Sequence, residues 1–248
     1  TYQTDAVEIP EQNNNESTPI EESISQLPES DEEELNIDKL DDAVVLIEIY
    51  DYFGDYVGHG SGFIIDKYGT VVTNYHNIDG AYSMKVVIEK NGYRKTYDVH
   101  KIISGSKSKD IAKIAIKRNN SEYFSYLKLA KSYPKKGEEC WAIGTPLDPE
   151  FMNTVSKGLV SNLQLNKSPK LIQTNAVFTH GSSGGALLNS KGEVIGVTTE
   201  IIKDKKGNGA RASLNFAISV KELNNLTRLN KKRIIDPNSI PCKIAFYT

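Results

Sequence analysis

The chain has 248 residues, 38% of them hydrophobic, and a formal net charge of −2. That is room for one large all-β domain or two small ones with a sizeable core. No apolar run is long enough to span a membrane, and two cysteines, Cys140 and Cys242, supply neither a disulfide framework nor a zinc site. The near-neutral total conceals a division. Residues 1–42 carry 14 acidic side chains and one basic, Lys39, whereas the rest carries 18 acidic and 29 basic. No basic run is interleaved with aromatics, so nucleic acid is not an expected partner and the lysines read as solvated surface.

Residues 1–40 are rich in Glu, Asn, Ser and Pro and contain the charge block Asp31-Glu32-Glu33-Glu34. Such a segment buries too little apolar surface to offset its ordering entropy, which predicts a disordered linker or pro-segment. The charge division also raises the hypothesis that it folds back over the basic domain and occludes a cleft. Equal rates at low salt for the full chain and for one starting near Asp41 would sink that idea. From Asp41 the pattern changes. Ala43–Tyr50 reads as a strand, and Tyr56–Ile65, with its glycines, as the returning arm of a hairpin. Asp66–Gly69 is a turn and Thr70–Asn74 the next strand, with His76 following directly on a loop or short helical turn. Met84–Glu89 and Arg94–Ile103 flank the hairpin signal Asn91-Gly92. After a polar turn, Asp110 opens the alternating strand Asp110–Ile116. Asn119–Tyr123 reads as a joint between two halves. Glu139–Gly144, Thr154–Asn162 and Leu171–Asn175 read as further strands. A glycine-rich stretch, Thr179–Gly185, leads into Ala186–Asn189, then Glu193–Thr199 and Ser213–Ile218. Ser219 is placed to cap a helix running through Leu223, Leu226 and Leu229. Short strands with turns about every ten residues predict a barrel or sandwich.

The stretch Gly181-Ser182-Ser183-Gly184-Gly185 has two readings. It is a glycine-rich turn between strands, or it holds a nucleophilic serine where Oγ is exposed and backbone N–H groups converge on a developing oxyanion. A serine hydroxyl is a weak nucleophile at neutral pH. It needs an imidazole to take its proton, and a carboxylate to hold that imidazole in one tautomer and stabilise its charged form. His76 and Asp110 supply both types, with separations of 34 and 73 residues along the chain to Ser183.

The runs GSGFIIDKYGTVVTNYHNI, DIAKIAI, GEECWAIGTP, VSKGLVSNL, LIQTNAVFTHGSSGGALLNSKGEVIGVTTEI and NFAISVKEL occur in this order between about 43 and 228. Together they resemble the trypsin-like protease domain of the HtrA/DegP family. The resemblance implies an all-β fold of two six-stranded antiparallel Greek-key barrels. Barrel one would span about 43–120 and barrel two about 124–220, within a protease domain of 41–230, followed by a tail of 231–248. It implies a serine endopeptidase with His76 as general base, Asp110 as its orienting acid and Ser183 as nucleophile. The N–H groups of Gly181 and Ser183, with Ser182 between them, would form the oxyanion hole. Thr199, Glu200 and Ile201 resemble the edge that pairs with substrate backbone.

Departures from the family pattern carry information. Ser182 stands where trypsins have an aspartate that pairs with a new N-terminus, which argues against activation by that pairing. His180 replaces a proline and is expected at the cleft rim. No PDZ domain follows in this sequence. Val177, Phe178, Ile201 and Asn215 fall where the family lines its primary pocket. None is acidic, and Thr198 stands where glutamyl endopeptidases have a histidine, so small or medium aliphatic P1 residues are the expected preference. No cofactor or metal is expected, since the four histidines show no ligand spacing. His59 reads as a solvated loop histidine, His100 as surface and Trp141 as core. The expected partners are protein or peptide substrates, the expected location is extracytoplasmic, and both monomer and trimer stay open. A second reading is a protease-fold binding or regulatory protein that is inactive, or latent until a partner orders the oxyanion loop.

Overall fold

A computed structural model of the protein describes residues 35–199 and 215–231. After two single-turn 3-10 helices, β1 (Val44–Tyr50) begins the first barrel. All but two of its residues are buried, as expected of an apolar run covered on both faces. It is followed by β2 (Tyr56–Ile64), β3 (Thr70–Thr73), β4 (Ser83–Lys90), β5 (Tyr93–Ser106) and β6 (Ile111–Ile116). These six strands close in the order β5-β4-β1-β2-β3-β6, with β5 also pairing with β6. The predicted turn at Asp66 is present: its Oδ1 accepts the amides of Tyr68 and Thr70 at 2.9 and 3.1 Å. That is the local side-chain bond that makes aspartate a turn former.

The second barrel consists of β7 (Glu139–Gly144), β8 (Thr154–Gln164), β9 (Leu171–Thr174), β10 (Ala186–Asn189), β11 (Val194–Thr199) and β12 (Asn215–Ser219). They close in the order β10-β11-β12-β9-β8-β7, and every ladder is antiparallel. The expected all-β fold of two six-stranded barrels is what the chain forms.

Strand alternation explains how the barrels fill and how they meet. In β1, Val45, Ile47 and Ile49 point into barrel one with Ile64, Val71, Ile102 and Ile114. In β10, Leu187 points into barrel two with Cys140, Ile172 and Ala217. The alternate residues Val44, Ala186 and Leu188 join Phe63, Ile143, Val197 and Phe216 in a third cluster that draws on both barrels. Burying each Val, Leu, Ile or Phe side chain among these contributes about 1.5–3 kcal/mol. The interface between the barrels is therefore a core in its own right, and that fixes the cleft.

The C-terminal segment differs from expectation. Ser219 does cap a helix, its Oγ accepting the Lys221 amide at 3.4 Å, but the helix is a 3-10 segment, Val220–Asn225. Leu226 is extended, and β13 (Thr227–Lys231) pairs with β5 of the first barrel. Leu223 and Leu226 pack on the cluster shared by the barrels, and Leu229 on the interior of barrel one. The i, i+3, i+6 spacing thus serves two different cores rather than one helical face. Tertiary pairing overrides a weak local preference weakened further by Asn224-Asn225. Among the described residues, no helix is long and apolar enough to cross a membrane.

Candidate active site

His76 lies one turn after β3. The turn is closed by the amides of Ile78 and Asp79 on the Tyr75 carbonyl at 3.0 and 2.9 Å. Asp110 ends the β5–β6 turn, its amide donating to the Lys107 carbonyl at 3.2 Å. Its φ of 51° is in the left-handed region, which aspartate tolerates better than most residues. The two side chains meet. His76 Nδ1 lies 3.1 and 2.9 Å from the two Asp110 carboxylate oxygens, and the His76 amide donates to Oδ1 at 2.9 Å. A carboxylate on Nδ1 makes that nitrogen the donor and leaves Nε2 as the acceptor. Two further bonds fix the acid. Asn74 Nδ2 donates to the Asp110 carbonyl at 2.9 Å, and Thr199 Oγ1 from barrel two donates to Oδ2 at 3.4 Å.

The Ser183 loop is held by its backbone. The Ser183 carbonyl accepts the Ser61 amide at 2.9 Å and Asn77 Nδ2 at 3.0 Å, both from barrel one. The Gly184 amide donates to the Thr198 carbonyl at 2.8 Å. Gly184 has φ +94°, and a Cβ there would lie 2.1 Å from the Ser61 carbonyl oxygen. Only glycine lets the two barrels approach this closely. Ser183 itself is half-buried. Among the described residues, its hydroxyl makes no hydrogen bond to His76. In free enzymes such contacts are often long and tighten in the substrate complex.

The preceding residues form a type II turn. The Ser182 amide donates to the Thr179 carbonyl at 3.0 Å, and Gly181 takes the third position at φ +88°. The His180 carbonyl accepts the Leu147 amide at 2.7 Å. In a planar trans peptide the Gly181 N–H points the opposite way, away from Leu147. Neither this amide nor that of Ser183 donates to a protein acceptor among the described residues. Ser182 is 4% exposed, its carbonyl accepting from Gly185 N and Thr198 Oγ1. The His180 side chain is exposed.

A cavity of about 230 Å³ adjoins the turn, lined by Ile143, Pro146, Val177, Phe178, Thr179 and Thr198 among others. The lining has no charged side chain among the described residues. Asn215 does not line it; its Nδ2 donates to the Ala176 carbonyl at 2.7 Å. Glu200 and Ile201 lie outside the described residues, as do residues 1–34 and Cys242. Cys140 is a buried free thiol 3.1 Å from Thr174 Oγ1, and burial pushes its pKa up, so it is an inert packed group. No cluster able to hold a metal occurs among the described residues.

His59 is not a solvated loop residue. It lies in β2 opposite Glu48 of β1, with Nδ1 2.9 Å from the Tyr56 hydroxyl and Nε2 buried without a hydrogen-bond partner. A Cβ on Gly181 would lie 2.7 Å from Nε2, so the ring sits against the Gly181 turn. Burial pulls its pKa down, against the opposing effects of Asp148, the Thr145 backbone and Glu48. Sequence reasoning gives Ser61 and Asn77 no part in this site, and it gives Thr199 a place on the substrate-pairing edge but not the hydrogen bond to Asp110.

The family model of the trypsin-like peptidase domain matches residues 60–197. The chain belongs to this family. It is 37% identical over 175 residues to the periplasmic serine endoprotease DegP of Salmonella typhimurium, covering 68% of this chain and 34% of that protein. It is 35% identical over 182 residues to Protease Do-like 5, chloroplastic, of Arabidopsis thaliana, covering 67% and 55% respectively. It is 36% identical over 177 residues to serine protease HTRA1 of Xenopus tropicalis, covering 66% and 37%. The matched part thus spans between a third and just over half of these relatives' lengths, and this trypsin-like domain is the part they share with it.

Proposed function

We propose that this trypsin-like domain is a serine endopeptidase. The observation that carries the reading is the grip of both Asp110 oxygens on His76 Nδ1, at 3.1 and 2.9 Å. It leaves Nε2 as the proton acceptor, and the reading assigns Ser183 as the hydroxyl that supplies the proton. In the reaction, Ser183 Oγ attacks the scissile carbonyl carbon as its proton passes to His76 Nε2. The carbonyl oxygen becomes an oxyanion and takes hydrogen bonds from the Gly181 and Ser183 amides. Collapse of the tetrahedral intermediate breaks the C–N bond, and His76 returns the proton to the leaving amine. Water, deprotonated by His76, then attacks the acyl carbon; the C–O bond to Ser183 breaks and His76 returns the proton to Ser183 Oγ. Asp110 stays ionised throughout and stabilises the imidazolium.

The uncharged cavity beside Val177 and Phe178 supports a preference for small or medium aliphatic P1 residues. A peptide-library profile dominated by Arg, Lys or Glu would overturn that preference. The periplasmic and chloroplastic relatives support an extracytoplasmic location. The test of the whole reading is labelling by a fluorophosphonate probe. Wild type is expected to label at Ser183, and Ser183→Ala, correctly folded, to lose at least ~10⁴-fold in labelling and turnover. Equal labelling of the variant would refute Ser183 as nucleophile. A folded wild type that never labels would favour a protease-fold binding protein.

A further inference from the structure

We infer that the Ser61 hydroxyl is the latch that keeps the Gly181 turn in its oxyanion-binding form, making Ser61 a positioning residue for the reaction. The inference rests on the reading of Ser183 as nucleophile. Ser61 lies in β2 of barrel one, is 0% exposed, and is separated from Gly181 by 120 residues of chain. It touches three points of the opposing barrel. Its Oγ accepts the Thr145 amide at 2.8 Å and donates to the Gly181 carbonyl at 2.7 Å. Its own amide donates to the Ser183 carbonyl at 2.9 Å. A hydroxyl has one proton. With an N–H already directed at the oxygen, that proton goes to Gly181, so the direction of the bond is fixed.

Gly181 is where this turn needs help. A φ of +88° strongly favours glycine, and glycine is the residue freest to leave any one conformation. A Cβ is not available as a restraint either, since it would lie 2.5 Å from the Thr145 carbonyl oxygen. The two peptides flanking Gly181 are held instead from outside. Leu147 N holds the carbonyl before it at 2.7 Å, and Ser61 Oγ holds the carbonyl after it at 2.7 Å. Holding both planes holds both φ and ψ. The Leu147 bond belongs to an exposed loop residue of the same barrel. The Ser61 bond comes from the buried face of the other barrel, where no water competes for it.

The latch is itself braced. Thr73 Oγ1 donates to the Ser61 carbonyl at 2.7 Å, and Asn77 Nδ2 reaches both Thr73 Oγ1 and the Ser183 carbonyl at 3.0 Å. The flanking glycines make room for it: a Cβ on Gly60 would lie 2.4 Å from the Asn77 side chain, and one on Gly62 2.8 Å from Val71. Because the latch fixes the Gly181–Ser182 peptide, and with it the ψ of Gly181 that sets the Gly181 and Ser183 amides relative to one another, its removal weakens binding of the oxyanion and leaves ground-state binding of substrate intact.

Ser61→Ala tests this. The expected result is a folded protein whose kcat and rate of fluorophosphonate labelling fall together by roughly 10- to 100-fold, part of the ~10²–10³ assigned to a whole oxyanion donor. KM for a peptide substrate should stay within about twofold, and affinity for a peptidyl boronic acid should fall with kcat, which a merely structural loss does not produce. Ser61→Cys keeps the volume and a weak donor; it is expected to lie between the two and serves if the alanine variant does not fold. Folded Ser61→Ala with kcat, labelling rate and boronate affinity within twofold of wild type overturns the latch alone. A wild type that does not label at Ser183 overturns the nucleophile, and the latch with it.

Discussion

The two halves of the site are built by different means. The barrel-one half is made of side chains: a carboxylate on an imidazole, fixed by Asn74 and by Thr199. The barrel-two half rests on backbone: Ser183 is carried on a turn with glycines at φ +88° and +94°, and the proposed oxyanion donors are amides of that turn. A side-chain site is altered by changing an atom, whereas a backbone site is altered by changing what the chain is allowed to do. The two halves should therefore fail differently.

The largest effect after loss of Ser183 belongs to the side-chain half. Asp110→Asn preserves shape but offers an amide to His76 Nδ1 and so favours the wrong tautomer. Turnover is expected to fall by about 10⁴-fold with the fold unchanged; a loss under tenfold in steady-state kinetics would remove Asp110 from this part. Gly181→Ala breaks the backbone half. A positive φ and a Cβ 2.5 Å from the Thr145 oxygen both oppose it. It should lose about 10²–10³-fold in kcat and, unlike Asp110→Asn, about 1–3 kcal/mol of stability by denaturant unfolding. Equal stability with full activity would mean that the turn has another form open to it.

The smallest effect lies where the halves touch. Burial holds His59 below its ordinary value of 6.5. The unfolded chain then binds the extra proton first as pH falls, so the stability this group contributes is present above about 6.5 and is lost as pH drops through the folded value. Tyr56 on its own strand, Glu48 on β1 and Asp148 beyond β7 are the titratable groups around it. His59→Phe should flatten the decline in melting temperature below pH 6.5 relative to wild type. Parallel declines would show that burial of His59 has no such consequence.

Much of this is legible in the sequence alone. The strands follow from alternation, and the order of His76, Asp110 and Ser183 with their flanking runs pointed to the double barrel. What was not legible depended on contacts between distant segments. Tyr56–Ile65 reads as a hairpin arm, but the glycines beside His59 suggest a local loop because glycine is poor in strands; β2 runs unbroken through them, two of them where a side chain presses close. That misreading put His59 in solvent. The reach of Ser61 across 120 residues leaves no local mark. The leucines after Ser219 fitted a helix because spacing alone does not reveal that two cores share them.

The strand β13 has a consequence for how the molecule is made. Gly105 pairs with Ala112 of β6 along one edge of β5 and with Thr227 of β13 along the other. Lys109, beside Asp110, forms an ion pair with the buried Glu222 at 2.5 Å. The hairpin carrying Asp110 is therefore braced by residues translated more than a hundred positions later. A nascent chain can complete every strand of barrel one while still on the ribosome. The support under its acidic residue arrives only when 222–231 emerge, so the hairpin that carries Asp110 is completed after β1–β12 have all been made.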